Sequence, residues 1–235
     1  MTLVGVVIPA AGAGERLGVG GPKTLHALGG HTLLTHAVRA VFASGVASAV
    51  VVAAPAASVT EVDSMVRADA PDHLDLRVVP GGGTRQQSVW AALQALPDDL
   101  DVVLVHDAAR CLAPPSLYVQ VVRSVEAGHD AVVPALPVVD TLKEVAADGE
   151  VVGTPDRSRL RAVQTPQGFR RSVLVRAHRA ALDQGWDDVT DDAGLVERLG
   201  VAVQVVDGHD DAFKITRPAD LMRAEALVAA RQAAV

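Results

Sequence analysis

The stretch Leu3-Val4-Gly5-Val6-Val7-Ile8-Pro9-Ala10-Ala11-Gly12-Ala13-Gly14-Glu15-Arg16-Leu17-Gly18, followed by Pro22-Lys23, decides the fold. The run up to Pro9 is almost wholly apolar, as expected of a parallel strand buried on both faces between helix layers. The small residues after it form a loop in which backbone N–H groups can approach a phosphate chain, because glycine carries no Cβ and accepts positive φ. Arg16 and Lys23 stand beyond it, where they would supply charge to a phosphorus centre that becomes more anionic during reaction.

Apolar, β-branched runs recur outward from this stretch. Strands are expected at 3–9, 48–54, 75–79, 101–106, 130–136 and 201–206. Helices are expected at 32–44, 56–69, 84–96, 115–127, 170–183, 191–199 and 218–233. The alternation predicts an α/β fold of one domain, residues 1–235: a Rossmann-like, mostly parallel sheet with helices on both faces. Ligands of such sheets sit at the carboxyl ends of the strands. Residues 137–165 break the pattern. Short extended pieces flank Asp148-Gly149, a strong hairpin turn signal, and predict a projecting β-arm at about 137–160. A hairpin alone is barely stable in water, so the arm is expected to pack on a second subunit.

Composition narrows the function. The chain has 235 residues, 49% hydrophobic, and a net charge of −7. That balance argues against a nucleic-acid binder, which needs a basic face. Two Trp, one Tyr and three Phe leave little for base-stacking platforms. No apolar run reaches the ~18 residues of a membrane span, and the N-terminus has neither a basic start nor a small-residue cleavage site. With Cys111 as the one cysteine, a cytoplasmic location is expected. Only Lys23, Lys143 and Lys214 among the 21 basic residues are lysines. A lysine kept in an arginine-rich chain suggests a need for a compact ammonium.

Two familiar glycine loops fail against residues 12–24. A dinucleotide fingerprint wants a third glycine where Leu17 stands, and an acidic residue ending the second strand, where Ala53-Ala54-Pro55 is found. A nicotinamide-dependent dehydrogenase is thereby disfavoured. A P-loop wants glycine at Leu17 and again at Pro22. The remaining pattern, G-x-G-x-R-x-x-x-x-x-P-K after Pro9-Ala10-Ala11, resembles the signature of nucleotide-sugar pyrophosphorylases and related nucleotidyltransferases.

Other segments could carry chemistry. Gly81-Gly82-Gly83-Thr84-Arg85-Gln86-Gln87-Ser88 reads either as a loop letting a base or phosphate approach, with Ser88 on a base edge, or as a plain turn capped by Thr84. His106-Asp107-Ala108-Ala109-Arg110 puts a carboxylate at a strand's carboxyl end, with Arg110 able to clamp phosphate and His106 in a structural role. Thr190-Asp191-Asp192-Ala193 reads as a helix cap with first-turn acids. Lys214 sits between apolar neighbours at a strand–helix junction.

In this order, with Asp140-Thr141-Leu142-Lys143, Thr165-Pro166-Gln167 and Lys214-Ile215-Thr216-Arg217-Pro218, these segments closely resemble the 2-C-methyl-D-erythritol 4-phosphate cytidylyltransferase family from about residue 3 to residue 228. The resemblance implies cytidylyl transfer from CTP to the polyol phosphate with release of pyrophosphate. It assigns Arg16 and Lys23 to the transition state at the α-phosphorus, and Arg157 and Lys214 to positioning the sugar phosphate. Asp107, Arg110, Thr165 and Thr190 match the sugar-alcohol site. Ala10, Ala11, Gly12, Ala13, Gly14, Gly82, Gly83, Ser88 and Ala108 match the nucleotide contacts. It further implies Mg2+ bridging the triphosphate, a homodimer formed through the arm, and Arg157 and Thr165 acting in the partner's site. Gly83 stands where relatives can be acidic, and Glu15 where they can be basic or neutral. The same chemistry on another acceptor such as ribitol 5-phosphate, or a nucleotide-binding regulator without turnover, are the alternatives. The intact Arg16, Lys23, Asp107 and Lys214 set argues against the regulator.

Overall fold

Strand β1 (Val4–Pro9) shows how the sequence builds two cores. Val4, Val6 and Ile8 enter one apolar cluster, and Val7 enters the other. This is the period of two along a pleated strand. The computed structural model describes residues 2–12 and 22–233. Ala13, Gly14, Glu15 and Arg16 therefore lie outside the described residues.

After β1 come a short ribbon, β2 (Ala27–Leu28) and β3 (His31–Thr32), and helix α1 (Leu33–Ser44). Then follow β4 (Ala49–Ala54), α2 (Val59–Arg67), β5 (Asp75–Pro80), α3 (Arg85–Ala95), β6 (Val102–Val105) and α4 (Pro115–Glu126). The second half holds β7 (Ala131–Pro137), β8 (Glu144–Val145), β9 (Val151–Gly153), β10 (Arg161–Val163), β11 (Gln167–Arg170), α5 (Arg171–Gln184), α6 (Asp192–Arg198), β12 (Val203–Asp207) and α7 (Pro218–Ala233). The main sheet runs β10-β7-β11-β6-β1-β4-β5, and β12 pairs with β7 in parallel. Helices α1, α2 and α4 cover one face, and α3, α5 and α6 the other. Helix α7 closes a third cluster with Leu28, Leu33, Cys111, Leu112 and Ile215. Among the described residues no helix is long and apolar enough to cross a membrane.

Observed strand and helix ends agree with the sequence reading to within a few residues. Three features differ. The ribbon of β2 and β3 lies at none of the expected strands. Strand β11 was not foreseen, and it runs antiparallel between β6 and β7. Glycine permits this: a Cβ on Gly168 would lie 2.4 Å from Val121 Cγ1. The hairpin also differs in detail. Its first strand is Glu144–Val145, whereas Pro137 ends β7 in the main sheet. The turn lies where expected, with Gly149 at φ +93°. The Glu150 N–H donates to Asp148 Oδ1 at 3.1 Å.

Candidate active site

The loops after β1, β5 and β6 meet at the carboxyl ends of the sheet and border a cavity of about 470 Å³. Ala11, Gly12, Lys23, Gly82, Gly83, Ser88, Asp107, Ala108 and Lys214 line it. Close packing of the loops requires glycine: a Cβ on Gly81 would come within 2.5 Å of Ala11 Cβ, and one on Gly82 within 2.3 Å of Gln87 Cβ. Ala10 lies beneath the cavity. Its N–H donates to Ala53 O at 2.8 Å, and its carbonyl accepts from Thr24 Oγ1 at 2.9 Å. Its backbone thus supports the loop.

Helix α3 opens on a capping box formed by Thr84 and Gln87. Ser88 is buried. Its Oγ accepts from Gly82 N–H at 3.1 Å and donates to Thr84 O at 2.9 Å. The hydroxyl expected to read a base edge lines the cavity and staples the glycine loop to the first turn of α3.

Asp107 forms the junction with a second cavity of about 100 Å³, which Arg85 and Lys214 also line, together with Arg110, Thr165, Gln167 and Thr190. Arg85 Nε donates to Asp107 Oδ1 at 2.9 Å, and Lys214 Nζ donates to Asp107 Oδ2 at 2.7 Å. Burial alone would raise the Asp107 pKa. The Arg85 guanidinium and Lys214 ammonium outweigh it and hold the carboxyl well below the usual carboxylate range. Arg85 Nη1 also donates to Asp192 Oδ2 at 2.7 Å, and His178 Nε2 meets Asp192 Oδ1 at 2.9 Å. Asp192 is likewise held low against its burial, by Arg85 and by the hydrogen bond to His178.

Motifs far apart in sequence interlock here. Gln167 Nε2 donates to Asp191 Oδ2 at 2.7 Å, and its Oε1 accepts from Ala193 N–H at 3.2 Å. Gln167 thus fixes the start of α6, and Thr190 stands just before it. Thr165 Oγ1 accepts from Asp107 N–H at 3.0 Å and lies 3.2 Å from His106 Nδ1. Thr165 thus lines a cavity of its own chain, beside Asp107. His106 is fully buried against Tyr118, and burial pushes its pKa down to about 3.

Arg110 Nη1 and Nη2 donate to the carbonyls of Ala212 at 2.8 Å and Val163 at 3.1 Å. Its fork is turned to backbone, not left open as a phosphate clamp. Arg157 is exposed on the arm, donates to Val139 O, and is absent from the linings of both cavities. Lys143 Nζ donates to Thr154 Oγ1 across the arm at 2.7 Å. Arg85, Asp192 and His178 were not singled out from the sequence. Arg85 follows a glycine loop and Asp192 opens a helix, and both contexts have ordinary local explanations.

The family model described as 2-C-methyl-D-erythritol 4-phosphate cytidylyltransferase matches residues 4–230. Relatives of that name from Streptomyces coelicolor and Streptomyces avermitilis are 57% and 55% identical, each over 96% of this chain and over 85% and 92% of their own lengths. A solved structure of the cytidylyltransferase from Thermus thermophilus superposes with a TM-score of 0.77 at 39% identity, covering 97% of this chain and 98% of that one. The 4-diphosphocytidyl-2C-methyl-D-erythritol synthase from Anaerococcus prevotii superposes with a TM-score of 0.84 at 26% identity, covering 97% and 98%. Sequence, fold and the convergence of the three loops agree: the chain belongs to the 2-C-methyl-D-erythritol 4-phosphate cytidylyltransferase family.

Proposed function

We propose that this chain transfers the cytidylyl group of CTP to 2-C-methyl-D-erythritol 4-phosphate. Pyrophosphate leaves, and 4-diphosphocytidyl-2-C-methyl-D-erythritol forms, a step of isoprenoid precursor synthesis by the non-mevalonate pathway. The observation that carries the reading is one cavity lined by two sets of groups. Glycine loops and Lys23 border it together with the Asp107–Lys214 pair, which also borders the second cavity.

The chemistry needs little from the protein beyond placement and charge. An oxygen of the polyol phosphate attacks the α-phosphorus of CTP. The new P–O bond forms in line with cleavage of the bond to the β-phosphate, and pyrophosphate carries away the electron pair. The nucleophile is already an oxyanion, so no strong general base is required. Lys23 and Arg16 would neutralise the charge that builds on the α-phosphoryl oxygens. Lys214 would hold the incoming phosphate, and Asp107, Thr165 and Thr190 would face the polyol hydroxyls. The glycine backbones at 12, 14, 82 and 83 would admit the nucleotide.

Mg2+, arriving with the nucleotide, would neutralise part of the triphosphate charge. Among the described residues no group of three or more His, Cys, Asp or Glu is placed to hold a metal ion. The carboxylate lining the main cavity, Asp107, is already shared by two cations. The donor set therefore suits a metal carried mainly by the substrate. The proposed assembly is a homodimer through the arm. Val139, Val145, Val151 and Val152 stand at least 53% exposed there, an apolar surface that a second copy would cover. The buried, single Cys111 suits a reducing cytoplasm.

Pyrophosphate release with CTP and Mg2+ tests the reading, comparing 2-C-methyl-D-erythritol 4-phosphate with ribitol 5-phosphate and CTP with UTP and ATP. Turnover with CTP and the methylerythritol acceptor alone is expected. Turnover with ribitol phosphate instead would reassign the acceptor, and none with any pair would leave a nucleotide-binding regulator.

A further inference from the structure

The geometry points to Arg85 as a positioning residue of the transfer site, anchored by Asp192 and acting through Asp107 on Lys214. This inference rests on the cytidylyl-transfer reading above. Five chain segments meet in one row of contacts. Buried His178 on α5 holds Asp192 Oδ1 at 2.9 Å, and Asp192 Oδ2 takes Arg85 Nη1 at 2.7 Å. Arg85 Nε reaches Asp107 Oδ1 at 2.9 Å, and Asp107 Oδ2 takes Lys214 Nζ at 2.7 Å. The planar guanidinium spans both carboxylates in a fixed fork, which an ammonium cannot do.

Charge gives the row its purpose. Asp107 and Asp192 are balanced by Arg85 and Lys214. Without Arg85, Asp107 keeps its ion pair with Lys214, and Asp192 keeps the buried His178 but loses the guanidinium that neutralised it. Lys214 would then be drawn to neutralise Asp107 and be less available to an incoming phosphate. The Asp107 carboxylate, freed at Oδ1, would also lose its orientation. The effect should fall more on the acceptor than on the nucleotide: Arg85, Asp107 and Lys214 line both cavities, but no contact of the row is made to the glycine loops. Lys23 lines the same cavity, and Arg110 and the buried His106 also act on Asp107. Neither Arg110 nor His106 reaches its carboxylate in a hydrogen bond.

Steady-state kinetics of wild type, Arg85→Gln, Asp192→Asn and the double variant separate this role from simple loss of stability, with folded fraction matched by thermal melting. The expected result is a rise in KM for the polyol phosphate of about ten- to a hundredfold in Arg85→Gln, with KM for CTP within about twofold. Asp192→Asn should move the same parameter in the same direction. The double variant should be no worse than Arg85→Gln, because the residues act as one unit. The acid limb of kcat/KM for the acceptor should move to higher pH in Arg85→Gln, since one of the two cations that hold the Asp107 carboxyl low is gone. Folded variants with both KM values and kcat within about twofold of wild type would overturn the inference, as would strictly additive losses. Wild type without turnover would overturn the parent reading itself, and this inference with it.

Discussion

Lys23 and Lys214 show how residue choice reports chemistry. In a chain that uses arginine nearly everywhere, both lysines border the same cavity. Lys23→Ala is expected to lower kcat by on the order of 10²–10³ while the fold survives. Rapid-quench measurement of cytidylyl transfer, beside a circular dichroism melt, checks it. A variant keeping more than about a tenth of wild-type kcat would remove Lys23 from the transition state. His106 carries a different prediction, about stability. The unfolded chain protonates this imidazole near 6.5, but the folded chain does so only near 3. Between those values the unfolded state binds more protons. Stability should fall as pH drops through that window, by up to about 1.4 kcal/mol per pH unit. Asp107 and Asp192, held low, lose their contribution only as pH falls below the ordinary carboxylate range near ~4. Denaturant melts from pH 7 to 4 should therefore show a slope that His106→Asn flattens. An unchanged slope would mean that other groups dominate. Asp107 and Lys214 were legible as motif residues because each stands at an informative junction. Their link through Arg85 was not, because its partners lie 22 and 107 positions away and no local pattern joins them.

At the scale of elements, the parallel strands and their helices were legible because burial on two faces writes itself as continuous apolar runs. Strand β11 was hidden by its composition. Gln167-Gly168-Phe169-Arg170 has no β-branched residue and reads as loop, yet it sits in the centre of the sheet. Tertiary packing decided its state: Phe169 fills one core, and Gly168 lets α4 approach at Val121. Gly168→Ala should therefore destabilise by roughly 1–3 kcal/mol through overpacking. Urea unfolding would detect this as a shifted midpoint with unchanged m-value. A shift near zero would mean that α4 yields without cost. The capping box of α3 carries a second consequence. Thr84→Ala removes a cap worth about 1 kcal/mol and also the register of the loop that Ser88 staples. It should raise KM for CTP more than KM for the polyol phosphate. Equal changes in both would separate the loop from nucleotide binding.

At the scale of the whole molecule, the arm is the part whose purpose one protomer leaves open. Its strands β8 and β9 form a sheet of their own, detached from the main one. Its valines face outward, and Arg157 at its end lines neither cavity of its own protomer. The hairpin turn was legible from Asp148-Gly149, but the face it covers could not be read from a single chain. If the arm crosses to a second copy, each complete site holds Lys23 from one protomer and Arg157 from the other. Complementation then follows from symmetry. Lys23→Ala and Arg157→Ala should each be nearly inactive alone. Unfolded together, mixed in equal amounts and refolded, about half of the dimers pair the two variants, and each of those holds one intact site of its two. Activity should return to about a quarter of wild type, with sedimentation velocity reporting dimers throughout. A mixture as inactive as its components would place Arg157 in its own protomer's chemistry or outside the reaction altogether. A monomer in sedimentation would leave the exposed valines of the arm without a partner of the same chain.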